Sequence, residues 1–290
     1  MAAHDSLHIS VRSTSKGTYF QRLFETDGFG KDRFSFVIVD DIEKEGAFDE
    51  AVVGVGAVEH TASPVTLNYS GDPQGQRSRI GIKRHAPGVK RVVITSSYAA
   101  IVTLKTPSPG QEFETIDEAK GENAGSTHIY RASKAPPGQA AWDFVDKNKG
   151  SIGFDLATSY GIHEVTSALG ASLELFRNNV LLGSNTEEEL VTPVNQSGRV
   201  HVLLLANPHA GGERFITASG PDSWQNFPDI IHRSQLDPAD APKGYPRKGH
   251  NPKVPARVLA TKAENLLGFK FRRAEDTVPE TFRYIREKGL

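Results

Sequence analysis

Hydrophobic residues occur along the first half of the chain in short runs that are separated by polar stretches. The runs at residues 34–41, 55–63, 89–97 and 154–160 have the length and the β-branched content of strands. Within them, residues 35–38 and 92–95 are apolar on both faces, which is typical of the centre of a parallel sheet. Because these runs alternate with helix-like stretches, the pattern predicts an α/β fold on a parallel sheet.

The polar stretches and the second half of the chain predict the remaining elements. Residues 47–53 form an amphipathic, helix-like segment, and further helices are predicted at residues 139–147, 168–182, 224–234 and 277–288, with one more strand at 213–218. The Gly-rich segment 110–126 and the Pro/Gly/Lys-rich segment 238–255 are predicted loops. Residues 1–160 are expected to form one domain, and residues 161–290 mostly a smaller lobe with parts that return to the sheet.

Composition excludes several classes of protein. The 290 residues are 37% hydrophobic and 24% charged, as in a globular protein, and 34 Lys and Arg almost balance 35 Asp and Glu. The net charge of -1 gives no general attraction to nucleic acid or to an anionic membrane. The absence of cysteine excludes disulfides and thiolate metal sites, and no metal site is expected. With no signal peptide and no apolar run of about 18 residues, a cytoplasmic protein is expected.

One candidate for acid–base chemistry is the pair Tyr130 and Lys134 in the segment YRASK. Residues four apart lie on one face of a helix, and an ammonium near a phenol favours the phenolate, which can exchange a proton with a carbonyl or an alcohol. The same spacing occurs at Tyr284 and Lys288, which are expected to lie on an exposed face of the last helix.

Ser97 distinguishes the first pair from the second. It ends the predicted strand 89–97, where α/β sheets place ligand sites, and it lies 33 residues before Tyr130. A hydroxyl there can bind the oxygen that Tyr130 protonates. The alternative is that Ser96 and Ser97 cap a loop while Tyr130 packs with its hydroxyl at the surface.

Several segments together resemble the extended short-chain dehydrogenase/reductases, in particular the dihydroflavonol-reductase-like branch with fungal and plant ketone and aldehyde reductases. These segments are VRSTSK at 11–16, VDDIEKEGAFDEAVVGVGAVEHTASP at 39–64, APGVKRVVITSS at 86–97, YRASK at 130–134 with AAWDF at 140–144, GERFITASG at 212–220 and KAENLLGFKF at 262–271. The resemblance implies a Rossmann-type doubly wound sheet over residues 1–160, a substrate lobe after it, and NADPH-dependent reduction of a ketone or aldehyde.

The resemblance also implies roles for individual residues. Ser97 would orient the substrate oxygen, Tyr130 would donate the proton, and Lys134 would hold the nicotinamide ribose and lower the pKa of the tyrosine. Arg12, assisted by Lys16, would bind the adenosine 2′-phosphate and favour NADPH over NADH. Without the resemblance, Arg12 could equally be an ordinary exposed arginine.

Two further groups of residues are implied to contact the cofactor. Asp41 and Ile42 would lie beside the adenine. The strand end at Thr61, Ala62 and Ser63 would pass under the cofactor's ribose and phosphates. The expected partner is a small carbonyl compound, and the expected assembly is a monomer or a weak homodimer.

The chain departs from the family pattern at four places. It begins about where the second strand is expected, and no G-x-x-G-x-x-G turn occurs in it; Gly54 and Gly56 are interpreted as a simple turn. The segment 135–138 (APPG) is expected to interrupt the helix after Lys134. The family's N-P-x-x-V-x-G-P segment is replaced by residues 159–163, and the V-D-V-R-D-V helix is reduced to residues 196–202.

These departures leave alternatives open. The chain is either an incomplete reading of a reductase or a variant that has lost tight cofactor binding, and NADPH binding by the 290 residues is expected to be weak. Besides a reductase, the sequence allows a non-catalytic binding protein of the same fold, or an isomerase or dehydratase that keeps the Ser/Tyr/Lys trio. The identity of the carbonyl substrate is left open.

Overall fold

The computed structural model describes residues 6–26, 28–42, 44, 46–61, 88–97, 100–101, 111–113, 126–161, 180–182, 193–195, 200–219, 221–234, 236, 241–246, 248 and 256–288. The strands are β1 Leu7–Val11, β2 Phe34–Ile38, β3 Ala57–His60, β4 Arg91–Ser97, β5 Gln111–Phe113, β6 Asp155–Gly161, β7 Pro193–Asn195, β8 Arg214–Thr217, β9 Pro221–Ser223 and β10 Ala256–Val258. The helices are α1 Thr14–Thr26, α2 Ser126–Asn148, α3 His201–Ala206, α4 Asn226–Arg233, α5 Thr261–Leu267 and α6 Ala274–Lys288.

The main sheet is four-stranded and parallel, with the strand order β3-β4-β6-β8. Strand β4 is buried along most of its length, as the apolar run at 92–95 predicts. Helix α2 covers one face, where Trp142 packs with Val92, Ile94 and Leu156. This face therefore holds part of the hydrophobic core.

The opposite face of the main sheet is covered by α3 and α5. Leu204 of α3 and Leu267 of α5 pack with Val93, Ala157 and Phe215. Side chains alternate between the two faces of a strand, so Val93, which faces α3, lies between Val92 and Ile94, which face α2. The sheet is thus a layer between helices, which confirms the α/β prediction.

A separate two-stranded parallel sheet consists of β1 and β2, paired from Leu7 with Phe34 to Val11 with Ile38. Helix α1 packs against this pair at Gly17, where an added Cβ would lie 2.4 Å from the Phe36 ring. Within the described residues no backbone ladder joins this pair to the main sheet. Among the described strands, β1 and β3 are therefore not joined, and this is the place where the family resemblance implies a further strand.

The C-terminal part of the chain contributes both to the sheet and to a helical cluster. Strand β8 extends the main sheet beside β6. Helices α4 and α6 pack together through buried apolar side chains, among them Ile231, Phe282 and Ile285. No helix of the described residues combines the length and hydropathy that a membrane crossing requires.

The predicted strands and the helices at 224–234 and 277–288 are confirmed, with bounds that differ from the prediction by at most three residues at either end. Two predictions are wrong. Residues 47–53 form turns, because Gly46 and Gly54 adopt positive φ angles of 76° and 74° at either end of the segment. Helix α2 is continuous from Ser126 to Asn148, and its C-terminal half is supported by packing of Trp142 on the sheet.

Helix α1 and strand β5 differ from the prediction, and two predicted segments lie mostly outside the described residues. Helix α1 was not predicted, and the predicted loop 110–126 contains β5, which pairs in parallel with β10. The predicted helix 168–182 lies outside the described residues except for its last three positions, and so does most of the loop 238–255.

Candidate active site

The carboxyl ends of the parallel strands meet at one edge of each sheet, and Ser97 lies at this edge. It is the last residue of β4, it pairs with Gly161 of β6, and its exposed fraction is 2%. Strand β4 lies inside the sheet, between β3 and β6. The position is that of a ligand site in an α/β protein, as the sequence predicts.

Tyr130 and Lys134 both lie in α2, the helix that packs against β4 and β6. Their side chains lie outside what the structure describes, so their distances from Ser97 stay predictions. The competing residue Tyr284 lies on α6, and its exposed fraction is 48%. Since α6 packs on α4, the second Tyr–Lys pair belongs to a helix of the peripheral cluster.

Two cations follow the carboxyl end of β1 in sequence. Arg12 directly follows the strand, Lys16 lies in the first turn of α1, and both side chains are exposed. In the described part of the chain neither cation has an ion pair or a hydrogen bond to its side chain. Ser13 and Ser15, whose hydroxyl oxygens are 3.0 Å apart, lie between them in sequence. Two cations without partners beside a helix N-terminus can bind a phosphate.

The other predicted cofactor residues follow neighbouring strands. Asp41 is exposed and Ile42 half-buried after β2, and the Asp41 backbone N–H donates to Asp40 Oδ1 over 3.0 Å. Thr61 is exposed directly after β3, while Ala62 and Ser63 lie outside the described residues. Arg12, Asp41 and Thr61 therefore follow three parallel strands, and their contacts with a cofactor stay predictions.

The structure also shows a polar cluster that the sequence analysis missed. The His201 imidazole, at the start of α3, lies between two strands: Nε2 is 2.7 Å from Thr95 Oγ1, and Nδ1 is 3.8 Å from Glu59 Oε1. Burial raises the pKa of the Glu59 carboxyl above its ordinary value. The only sequence signal was one ionisable residue inside each of two apolar runs, at Glu59 and at His201.

The described residues fit NADPH at its two ends. Arg12 and Lys16, which have no ion pair among the described residues, suit the 2′-phosphate, and Ser97 suits a reacting oxygen. No strand-to-helix junction within the described ranges is glycine-rich, so no such turn is available there for the pyrophosphate. Gly54 adopts a positive φ of 74° in a turn, as interpreted from the sequence, and the Gly56 carbonyl accepts from the Lys90 N–H.

Comparisons with known proteins give a consistent set of relatives. A ketoreductase of Aspergillus niger is 32% identical over 316 positions, which include 97% of this chain and 90% of the relative. A protein of Candida albicans named for NADPH-dependent methylglyoxal reduction is 30% identical over 295 positions, with 90% of this chain and 86% of the relative covered. Because 316 positions exceed the 290 residues of the chain, the first relative carries residues within the alignment that this chain lacks.

Solved structures show the same fold. The yeast methylglyoxal/isovaleraldehyde reductase complexed with NADPH superposes with a TM-score of 0.79 at 25% identity, covering 97% of this chain and 92% of the yeast chain. No protein-family model matches the sequence.

Proposed function

The chain belongs to the extended short-chain dehydrogenase/reductases, and we propose from this membership that it reduces a ketone or an aldehyde with NADPH through Ser97, Tyr130 and Lys134. Its relatives are carbonyl reductases in name, and two of them are named NADPH-dependent, so the chain is an oxidoreductase of the same class. The observation that carries the residue assignment is the placement of Ser97 at the carboxyl end of β4, on which the Tyr130 helix packs.

In this mechanism the protein moves one proton and orients one oxygen. Ser97 donates a hydrogen bond to the substrate carbonyl oxygen, and this bond holds the carbonyl in place and polarises it. Tyr130 delivers its phenolic proton to the same oxygen as negative charge develops there. Lys134, one helical turn after Tyr130, stabilises the phenolate that remains. NADPH, when bound, supplies the hydride that reduces the carbonyl carbon.

The cofactor would be held mainly from its adenosine end. Arg12 can pair with the 2′-phosphate through a bidentate guanidinium contact, and Lys16 can add a second positive charge. Asp41, Ile42 and the strand end at Thr61, Ala62 and Ser63 would contact the adenosine and ribose. The exposed positions of Arg12, Lys16, Asp41 and Thr61 support these contacts.

The setting of the reaction is also part of the proposal. The substrate is a small carbonyl compound, and a lobe formed mostly by residues 161–290 would supply its pocket. A cytosolic location is supported by the absence of cysteine, which suits a reducing compartment. The proposed assembly of the protein is a monomer or a weak homodimer.

The test is a pair of phenylalanine substitutions. Tyr130→Phe removes one hydroxyl and is expected to lower kcat at least 100-fold, because proton donation is lost from an otherwise intact site. Tyr284→Phe is the matched control, since Tyr284 has the same spacing to a lysine, and its kcat should stay within about twofold of the parent.

The readouts separate an enzyme from a binding protein. NADPH oxidation is followed at saturating methylglyoxal, and NADPH fluorescence is titrated for each variant. Loss of turnover with unchanged fluorescence titration supports Tyr130 as the proton donor. Equal activity of Tyr130→Phe and the parent contradicts the assignment, and NADPH binding without turnover in the parent supports the non-catalytic alternative.

A further inference from the structure

The last three residues of β4 have a different environment from the rest of the strand. The ladder between β3 and β4 ends at the pair His60 and Ile94, whereas the ladder between β4 and β6 continues to Ser97. Among the described strands, only β6 therefore pairs with residues 95–97. A contact from the face of the sheet can therefore add to the rigidity of the segment that ends in Ser97.

His201 supplies this contact. Its Nε2 atom is 2.7 Å from the Thr95 hydroxyl oxygen, and the side chain of His201 is only 21% exposed. A threonine hydroxyl can donate or accept, so the bond forms with either neutral imidazole tautomer. The contact joins α3 to β4 immediately beyond the point at which β3 stops pairing.

The carboxylate of Glu59 faces the Nδ1 side of the same imidazole at a longer distance. Glu59 Oε1 is 3.8 Å from Nδ1, and Glu59 lies opposite Val93 in the β3–β4 ladder. Attraction between the carboxylate and the Nδ1 side favours the ring orientation in which Nε2 faces Thr95. One imidazole thus links β3, β4 and α3.

The position of Thr95 makes this link relevant to the active site. Thr95 and Ser97 are two residues apart on one strand, so their side chains point to the same face of the sheet. Displacement of a reacting group by about 1 Å can lower a rate about 100-fold. A bond that holds Thr95 therefore limits the motion of the Ser97 hydroxyl.

We propose that His201 is a positioning residue for the reduction: it holds β4 at Thr95 from the face that α3 covers, so that the Ser97 hydroxyl stays directed at the substrate oxygen. This inference rests on the proposed role of Ser97. His201 acts through Thr95 and Ser97 and does not itself contact the substrate.

The first part of the test needs no activity. Amide hydrogen exchange of the full chain is measured by NMR for the parent and for Thr95→Val, which removes the hydroxyl at nearly constant volume. Exchange over residues 95–97 is expected to accelerate about tenfold, while residues 91–93 keep the exchange rate of the parent. Thr95→Ser retains a hydroxyl and should restore slow exchange. Unchanged exchange in both Thr95→Val and His201→Phe would overturn the proposal.

The second part separates positioning from general stabilisation. Thr95→Val is expected to lower kcat about tenfold with KM for NADPH within about twofold of the parent, and to have no further effect in the Ser97→Ala background. An equal loss in that background overturns the proposal, because Thr95 would then act independently of Ser97.

The control removes a comparable hydrogen bond elsewhere on the same face. Ser159 pairs with Thr95 in the ladder and bonds Thr217 on its other side, with 3.2 Å between the hydroxyl oxygens. Ser159→Ala should leave exchange at residues 95–97 and kcat within about twofold of the parent. A fully active Ser97→Ala variant would contradict the proposed function, whereas the exchange experiment would still decide whether His201 holds the strand.

Discussion

Arg91 and Asp155 form a bidentate ion pair at the amino ends of β4 and β6, with 2.7 Å from Nε to Oδ1 and 2.8 Å from Nη2 to Oδ2. The same guanidinium donates to the carbonyl oxygens of Leu204, Asn207 and Pro208, and its pKa is raised by the hydrogen bonds to Asp155. One buried side chain therefore joins two central strands to the end of α3, at the edge opposite to Ser97.

This ion pair is predicted to be important for stability. Asp155→Ala leaves the buried Arg91 guanidinium without its carboxylate, and it should lower the free energy of unfolding by about 2 to 3 kcal/mol, measured by urea denaturation. Arg91→Met with Asp155→Ala should cost less than the sum of the single changes. A loss below about 0.5 kcal/mol for Asp155→Ala would show that solvent replaces the pair at little cost.

For Gly17→Ala we expect an effect on stability opposite to the one that helix propensity predicts. Alanine normally stabilises a helix by about 1 kcal/mol relative to glycine. In α1, however, a Cβ at position 17 would lie 2.4 Å from the Phe36 ring, so Gly17→Ala should lower the free energy of unfolding by about 1 to 3 kcal/mol. Phe36→Leu should recover part of this loss in the double variant. Stabilisation by Gly17→Ala alone would mean that α1 does not pack closely on β2.

The contrast between Ser97 and His201 shows what the sequence could predict. Ser97 ends an apolar run. In a parallel sheet such a run predicts a buried strand, and the last residue of that strand lies at the carboxyl edge of the sheet. In the cluster of Glu59, Thr95 and His201, Thr95 lies 36 positions after Glu59 and His201 lies 106 positions after Thr95. Contacts between such distant residues leave no periodic pattern in the sequence. Only the register of β3 against β4 and the packing of α3 bring these residues together.

Backbone conformation explains the two wrong predictions. Residues 47–53 have the hydrophobic spacing of a helix, but glycines with positive φ angles lie at both ends, and the backbone between them forms a series of turns. In α2 the prolines at 136 and 137 remove two N–H donors, yet the helix continues. Tertiary packing overrides the low helix propensity of the prolines here, because Trp142 holds the following turns against the sheet.

Glu59 predicts a dependence of stability on pH. Burial raises its pKa in the folded state, so the native chain favours the protonated carboxyl, and this contribution to stability is complete below about pH 4.3, the ordinary pKa of glutamate. It is lost as the pH rises through the higher pKa of the folded state. Glu59→Gln keeps the shape without the charge, so its Tm relative to the parent should increase between about pH 4 and pH 7. A Tm difference that decreases over this range would contradict the sign of the shift.

Arg12 predicts the choice between NADPH and NADH. Its exposed guanidinium at the end of β1 has no partner in the described part of the chain, so it pays no cost of breaking an ion pair when it binds a phosphate. Arg12→Ala should weaken NADPH binding by about 1.5 to 3 kcal/mol, or about ten- to 150-fold in Kd, and leave NADH binding unchanged, because NADH lacks the 2′-phosphate.

Arg22, an exposed residue of the same helix, provides the matched control for this experiment. Arg22→Ala removes the same charge about two turns from the N-terminus of α1, where general attraction to the cofactor is similar but no contact with the phosphate is expected. Both variants are titrated with NADPH and with NADH by fluorescence. Selective loss of NADPH binding in Arg12→Ala alone supports a direct contact with the 2′-phosphate. An equal loss for both cofactors would mean that Arg12 maintains the end of β1, and an equal effect of Arg22→Ala would mean that only the net charge of the region matters.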